Sequence, residues 1–156
     1  MSVAFRRESD EEHLEPKFEL PIPPGPNLVT PRGLALIEAR NAELEAAVAA
    51  ASPEALPALQ RDLRYWRARL ATAQLAPSAL GEMVAFGTSV TIEQDGKART
   101  LAIVGHDESD PAAGRIAFTA PLAKALIGNA IDDEIDPLGP GGPITIISIA
   151  VQQHDD

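Results

Sequence analysis

Hydrophobic residues in the first half of the chain fall on a helical period. Leu34, Ile37, Asn41, Leu44, Val48 and Ala51 stand at alternating steps of three and four, a heptad stripe along one helix face. Thr30 ahead of Pro31 is a start signal. The hydroxyl can cap free backbone N–H groups, and the missing proline N–H costs nothing at the first helical position. Asn41 interrupts the stripe, and a polar residue there fixes register at some cost in stability. Ser52-Pro53-Glu54-Ala55-Leu56-Pro57 breaks the period, and Pro57 disfavours helical geometry at Leu56, which places the next helix start near Pro57. Leu56, Leu59, Leu63, Trp66, Leu70 and Ala73 then repeat the spacing. Two apolar stripes joined by a short connection bury against each other, predicting an antiparallel helical hairpin within residues 27–80. Trp66 is expected in its seam, with Arg61, Arg64, Arg67 and Arg69 on a solvated face.

After Pro77-Ser78 the period changes to two. Ser89–Glu93 and Arg99–Val104 flank Gln94-Asp95-Gly96-Lys97, whose Asp-Gly pair signals a hairpin turn. Arg115–Thr119 reads as a third strand, Glu134–Asp136 as an edge strand and the Ile-rich Pro143–Val151 as a buried final strand. Pro121–Ile127 reads as a short helix, with proline at its start and Gly128 just past its end. Strands with one short helix on a face make residues 81–156 an α+β domain. Residues 1–26 are acidic and then proline-rich, without a hydrophobic period, and are expected to form a disordered arm.

Composition narrows the function classes. The chain has 156 residues with no run long and apolar enough for a membrane helix, and its N-terminus lacks the apolar stretch of a signal peptide. Cysteine is absent, which removes disulfides and thiolate metal sites and makes a cytoplasmic setting the simplest expectation. The net charge is −10, concentrated in the second half, where Lys97, Arg99, Arg115 and Lys124 face twelve carboxylates. Autonomous nucleic-acid binding needs a basic face, so a basic protein partner suits this half better. Catalytic signals are poor. His13, His106 and His154 lie far apart without metal-ligand spacing. His106-Asp107 has no nucleophile elbow beside it, and Gly139-Pro140-Gly141-Gly142-Pro143 lacks phosphate-loop spacing and precedes a strand. No catalytic residue, metal or cofactor is expected, and the chain reads as a non-enzymatic regulator that docks on a larger protein.

One constellation is specific. The chain reads Gly87-Thr88-Ser89-Val90-Thr91, then Ile103-Val104-Gly105-His106-Asp107-Glu108-Ser109-Asp110, then Pro121-Leu122-Ala123-Lys124-Ala125-Leu126-Ile127-Gly128, Asp132-Asp133 and Gly141-Gly142. In that order and at those intervals it resembles the C-terminal domain of the bacterial Gre (GreA/GreB) transcription elongation factors. Asn27-Leu28-Val29-Thr30-Pro31 followed by Gly33 resembles the family's lead into its coiled coil, and Ala73-Gln74-Leu75 its exit. The resemblance implies an N-terminal antiparallel coiled-coil hairpin followed by an FKBP-like β-sheet domain. It implies that the second domain grips the rim of the secondary channel of bacterial RNA polymerase while the hairpin enters the channel. Acidic residues at the family's hairpin tip help hold a magnesium ion there, so that the polymerase cleaves its own backtracked transcript. By this resemblance Asp107, Glu108, Asp110 and Pro121 are the docking residues, nucleic acid is met only through the polymerase, and the catalyst remains the polymerase.

The departures are informative. Where the family's tip carries an Asp and a Glu, this chain has Ser52, Pro53 and Glu54, with Glu54 the lone carboxylate. One isolated carboxylate holds magnesium weakly. The arms are also shorter than the family's by on the order of ten residues each, about 15 Å of helix. The resemblance is therefore to short-hairpin relatives such as the nucleoside diphosphate kinase regulator, and the expectation is polymerase binding without stimulated cleavage. Two alternatives stand beside it. One is a true cleavage factor using Glu54. The other is an FKBP-like prolyl isomerase or chaperone, for which Phe86 and Phe118 are the only aromatic residues after Trp66.

Overall fold

The computed structural model describes residues 19–152. The expected disordered arm lies, as far as residue 18, outside the described residues, as do His13 and His154. Residues 19–27 hold no helix or strand.

The start signal at Thr30 works as expected. Its Oγ accepts the Gly33 N–H at 2.9 Å and its carbonyl accepts the Leu34 N–H at 2.8 Å. Helix α1 then runs Pro31–Ala49. Ser52 performs the same office for the second helix, its Oγ accepting the Ala55 N–H at 3.3 Å. Helix α2 runs Leu56–Thr72, one residue earlier than Pro57 implied.

The chain divides into two compact units. The first holds Ile37–Thr72 with the segment up to Gly25. Ile37, Asn41, Leu44 and Leu63 of the two stripes are buried. Asn41 loses nothing by burial, because its Nδ2 donates to the Ile37 carbonyl at 2.9 Å and across to the Trp66 carbonyl at 3.0 Å. Trp66 itself is half-buried, edge-on to Tyr65 with the Arg40 guanidinium 5.5 Å from its ring centroid. Leu70 is 37% exposed, so the stripe's last full turn is not sealed. The arginines are not one solvated face either. Arg61 pairs with Asp62, Arg67 with Glu45 and Arg64 with Glu19, while Arg69 is buried, 6.0 Å from the Tyr65 ring.

The second unit comprises Pro26–Leu36 and Ala73 onward. Its two pieces are joined by a parallel pair, β1 (Leu28–Val29) with β2 (Gln74–Leu75). The main sheet contains β3 (Thr88–Gln94), β4 (Lys97–Val104), β5 (Arg115–Ala117), β6 (Glu134–Ile135) and β7 (Ile144–Val151) in the order β5-β4-β3-β7-β6. The β3–β4 turn uses Asp95 and Gly96, both at positive φ (53° and 79°), the geometry for which an Asp-Gly pair is suited. β5 runs parallel to β4, whereas β7 pairs antiparallel with β3 across a register shift at Thr91/Ile92. Alternation puts Val90, Ile92, Leu101, Ile103, Ile144 and Ile146 on one sheet face. Helix α3 (Pro121–Leu126) covers that face with Ala123 and Leu126. The molecule is thus mixed helix and sheet. Among the described residues no helix is long and apolar enough to cross a membrane.

Candidate functional site

The loop after β4 is built against the segment that starts α1. Gly105 passes so close to the Leu28 carbonyl that any side chain there would collide with it. The next residues, His106–Glu108, form a single 3-10 turn, and Pro111–Ala113 form a second. The first turn directs Glu108 inward. Its Oε1 accepts the Thr30 hydroxyl at 2.6 Å and its Oε2 accepts Arg32 Nη1 at 3.0 Å. Thr30 therefore serves twice, receiving the Gly33 N–H and donating to Glu108. A Cβ on Gly33 would stand 2.8 Å from Glu108 Oε1, closer than real Cβ atoms come, so glycine is required while Glu108 stays in place.

The three acidic residues of this loop thus have different settings. Glu108 is 5% exposed and engaged within its own unit, because two donors from the α1 lead-in compensate its burial. Asp107 is half-buried with an interaction of its own. Asp110 is exposed, its carboxylate 3.6 Å from Arg115 Nη2, a loose pair that solvent screens. Pro121 is exposed at the first position of α3. Because β4 and β5 are parallel neighbours, the loop after Val104 and the approach to Pro121 after Ala117 leave the same end of the sheet. Asp110 instead bridges to Arg115 at the start of β5, while Glu108 is turned inward under the loop. Sequence reasoning did not find Thr30, Arg32 and Gly33 as supports of this loop. The Thr30-Pro31-x-Gly33 string was visible, but its partner lies 78 positions away.

At the other candidate site, Ser52, Pro53 and Glu54 are all exposed in the connection at residues 50–55. Ser52 is committed to capping α2, which leaves Glu54 as the connection's carboxylate. Among the described residues no group of three or more His, Asp or Glu side chains could hold a metal ion.

Comparison with known proteins bears on the family of the chain. The family described as "Transcription elongation factor, GreA/GreB, C-term" matches residues 79–151, the whole main sheet and α3. Transcription elongation factor GreB of Xanthomonas axonopodis pv. citri is 32% identical over 150 residues, covering 80% of this chain and 89% of that one. The chain belongs to the GreA/GreB family. Transcription elongation factor GreA of Sphingopyxis alaskensis is 42% identical over 77 residues and that of Desulfovibrio desulfuricans 36% over 93. This Gre-family chain spans only 49% and 57% of those two relatives. Among solved structures, GreA factor homolog 1 (Gfh1) of Thermus thermophilus matches 80% of this chain and 99% of its own at 16% identity and a TM-score of 0.39. A GreA/GreB factor from Nitrosomonas europaea matches 81% and 99% at 20% identity and a TM-score of 0.40.

Proposed function

We propose that this Gre-family chain binds bacterial RNA polymerase at the rim of the secondary channel and does not stimulate transcript cleavage. In this reading the sheet unit is an FKBP-like docking domain, and α1 and α2 form a coiled-coil hairpin presented to the channel. The observation that carries the reading is the tip. A hard cation needs several oxygen ligands, and a tip with Glu54 alone, flanked by a capping serine and a proline, does not fit that role. Helices of 19 and 17 residues, roughly 28 and 26 Å long, also give the tip a short reach. The catalyst is the polymerase, and this chain regulates by occupancy, acting in the cytoplasm without a cofactor.

Docking rests on Asp110 and Asp107, whose carboxylates set a negative field toward a basic partner, together with Pro121. Glu108 acts beneath them by holding the loop to Thr30 and Arg32. The isomerase alternative gains little, since Phe86 and Phe118 stack edge-to-face on each other at 5.5 Å. Binding of purified core polymerase to wild type and to Asp110→Lys tests the proposal. A folded Asp110→Lys protein should bind at least about tenfold more weakly, corresponding to 1.4 kcal/mol, with the difference shrinking as salt rises. Unchanged affinity for a folded variant would remove the loop from the interface.

A further inference from the structure

The two sides of the main sheet finish differently. On one side β5 carries Arg115, which is bridged by Asp110. On the other, β6 covers only the first part of β7, pairing Ile135 with Ile144 and Glu134 with Thr145. One further exchange follows at Ile146, whose carbonyl accepts the Asp132 N–H at 2.8 Å and whose N–H donates to the Asp133 carbonyl at 3.0 Å. There the chain turns away from β7. The Asp133 carboxylate accepts the Ala130 N–H at 2.8 Å and Asp132 stands at a φ of 76°, so residues 130–133 close a tight turn. From Ile147 to Val151, β7 therefore has β3 on one side and, among the described residues, no strand on the other. Alternation decides which backbone groups are left open. Gln152 donates its N–H to the Gly87 carbonyl, so Ala150 and Ser148 also turn toward β3. Ile149 and Val151 then turn their N–H and carbonyl groups to the open side, and the register shift leaves Ile147 unopposed.

We propose that the open edge Ile147–Val151 receives an extended basic segment of a protein partner as an added strand. Exposed strand edges are ordinarily guarded by charged side chains, and β7 carries none along its length. Its surroundings are apolar and acidic instead. Ile147 and Val151 are exposed, as are Leu80 and Met83 in the segment of Gly81, where a Cβ would stand 3.4 Å from Val151 Cγ2. Glu82, Asp132, Asp133, Glu134 and Asp136 are exposed carboxylates on the two segments that border this part of β7. Backbone pairing with Ile149 and Val151 supplies the affinity, apolar side chains suit Ile147 and Val151, and lysine or arginine suits the carboxylates. Charge selects the occupant, because a second copy would bring a further net charge of −10 to an edge already ringed by carboxylates. The β7–β6 side of the sheet lies opposite the β4–β5 side, where the Asp107–Asp110 loop runs, so this surface is distinct from the proposed docking loop.

The probe is a short peptide of alternating lysine and valine, titrated into the isotope-labelled full chain at low salt and followed by backbone amide NMR. In the free protein the amide hydrogens of Ile149 and Val151 should exchange with solvent faster than those of Ser148 and Ala150. On titration the signals of Ile147–Val151 should shift, and the Ile149 and Val151 amides should become protected. The same peptide with alternate amides N-methylated, which cannot pair, should bind at least about tenfold more weakly, and so should a peptide of alternating glutamate and valine. Asp132→Asn combined with Glu134→Gln should weaken the lysine peptide several-fold while leaving β7 intact. Slow exchange at Ile149 and Val151 in the free protein would overturn the proposal. So would peptide shifts confined to other residues, or equal binding of the N-methylated or glutamate peptide. A dimer in sedimentation that Ile149→Pro dissociates would assign the edge to a second copy and overturn it equally.

Discussion

Replacing Gly33 by alanine should destabilise this protein, although the same change inside most helices stabilises it. Gly33 lies in the first turn of α1, where alanine ordinarily gains about 0.5–1 kcal/mol over glycine. Here the new Cβ would stand 2.8 Å from Glu108 Oε1. Glu108 cannot yield freely, because it is buried and holds Thr30 at 2.6 Å. Displacing it forfeits a charge-assisted hydrogen bond of about 1.5–3 kcal/mol. The Arg32 pair adds little, since Arg32 is 54% exposed and solvent screens it, so at most about 0.5 kcal/mol is counted there. The net cost of Gly33→Ala should then be about 1–2 kcal/mol. In a Glu108→Ala background the obstacle is gone, and the same change should stabilise by about 0.5–1 kcal/mol. The two sites should therefore couple by about 1.5–3 kcal/mol. Urea unfolding of all four proteins by far-UV circular dichroism measures this, with amide exchange at residues 33–36 locating the effect in the sheet unit. A Gly33→Ala protein as stable as wild type, or coupling below about 0.5 kcal/mol, would refute the reasoning.

Other consequences follow from the first unit. Trp66→Ala should cost about 1.5–3 kcal/mol, below the usual range for a buried aromatic because Trp66 is only half-buried, as read from thermal or urea unfolding. The Glu19–Arg64 fork should respond to acid with a definite sign. A carboxyl whose folded pKa is depressed keeps its contact above the ordinary glutamate pKa and loses it as pH falls through the lower folded value. The Arg64 Nε signal should therefore titrate below the usual glutamate range, and in Glu19→Gln it should not titrate there.

The elements that were legible in the sequence are those with a repeated local cause. The heptad spacing of Ile37, Leu44 and Leu63, the Thr30-Pro31 start and the Asp95-Gly96 turn each encode their geometry within a few residues. So do the alternating core positions Val90/Ile92 and Leu101/Ile103. What was not legible depended on partners far along the chain. Strands of two residues, such as Leu28–Val29 with Gln74–Leu75, are too short to show any period. The acidic loop was recognisable as a group, but the burial of Glu108 was not, because nothing local distinguishes it from Asp107 or Asp110. Its state is decided by Thr30 and Arg32, which arrive from the start of α1. Arg69 shows the same limit: helical spacing put it off the apolar stripe, yet it is buried beside Tyr65.

The central claim is that the chain keeps the family's docking and lacks its cleavage chemistry, and one measurement tests both halves. Purified protein is added to stalled, backtracked elongation complexes, alone and in excess over a cleavage-competent Gre factor, and the release of the 3′ RNA fragment is followed. The account predicts no acceleration by the protein alone, because Glu54 stands without a second carboxylate at the tip. It also predicts inhibition of the competent factor, because both proteins seek the same rim. Rapid cleavage by the protein alone, abolished in Glu54→Ala, would contradict the account. So would the absence of both cleavage and competition.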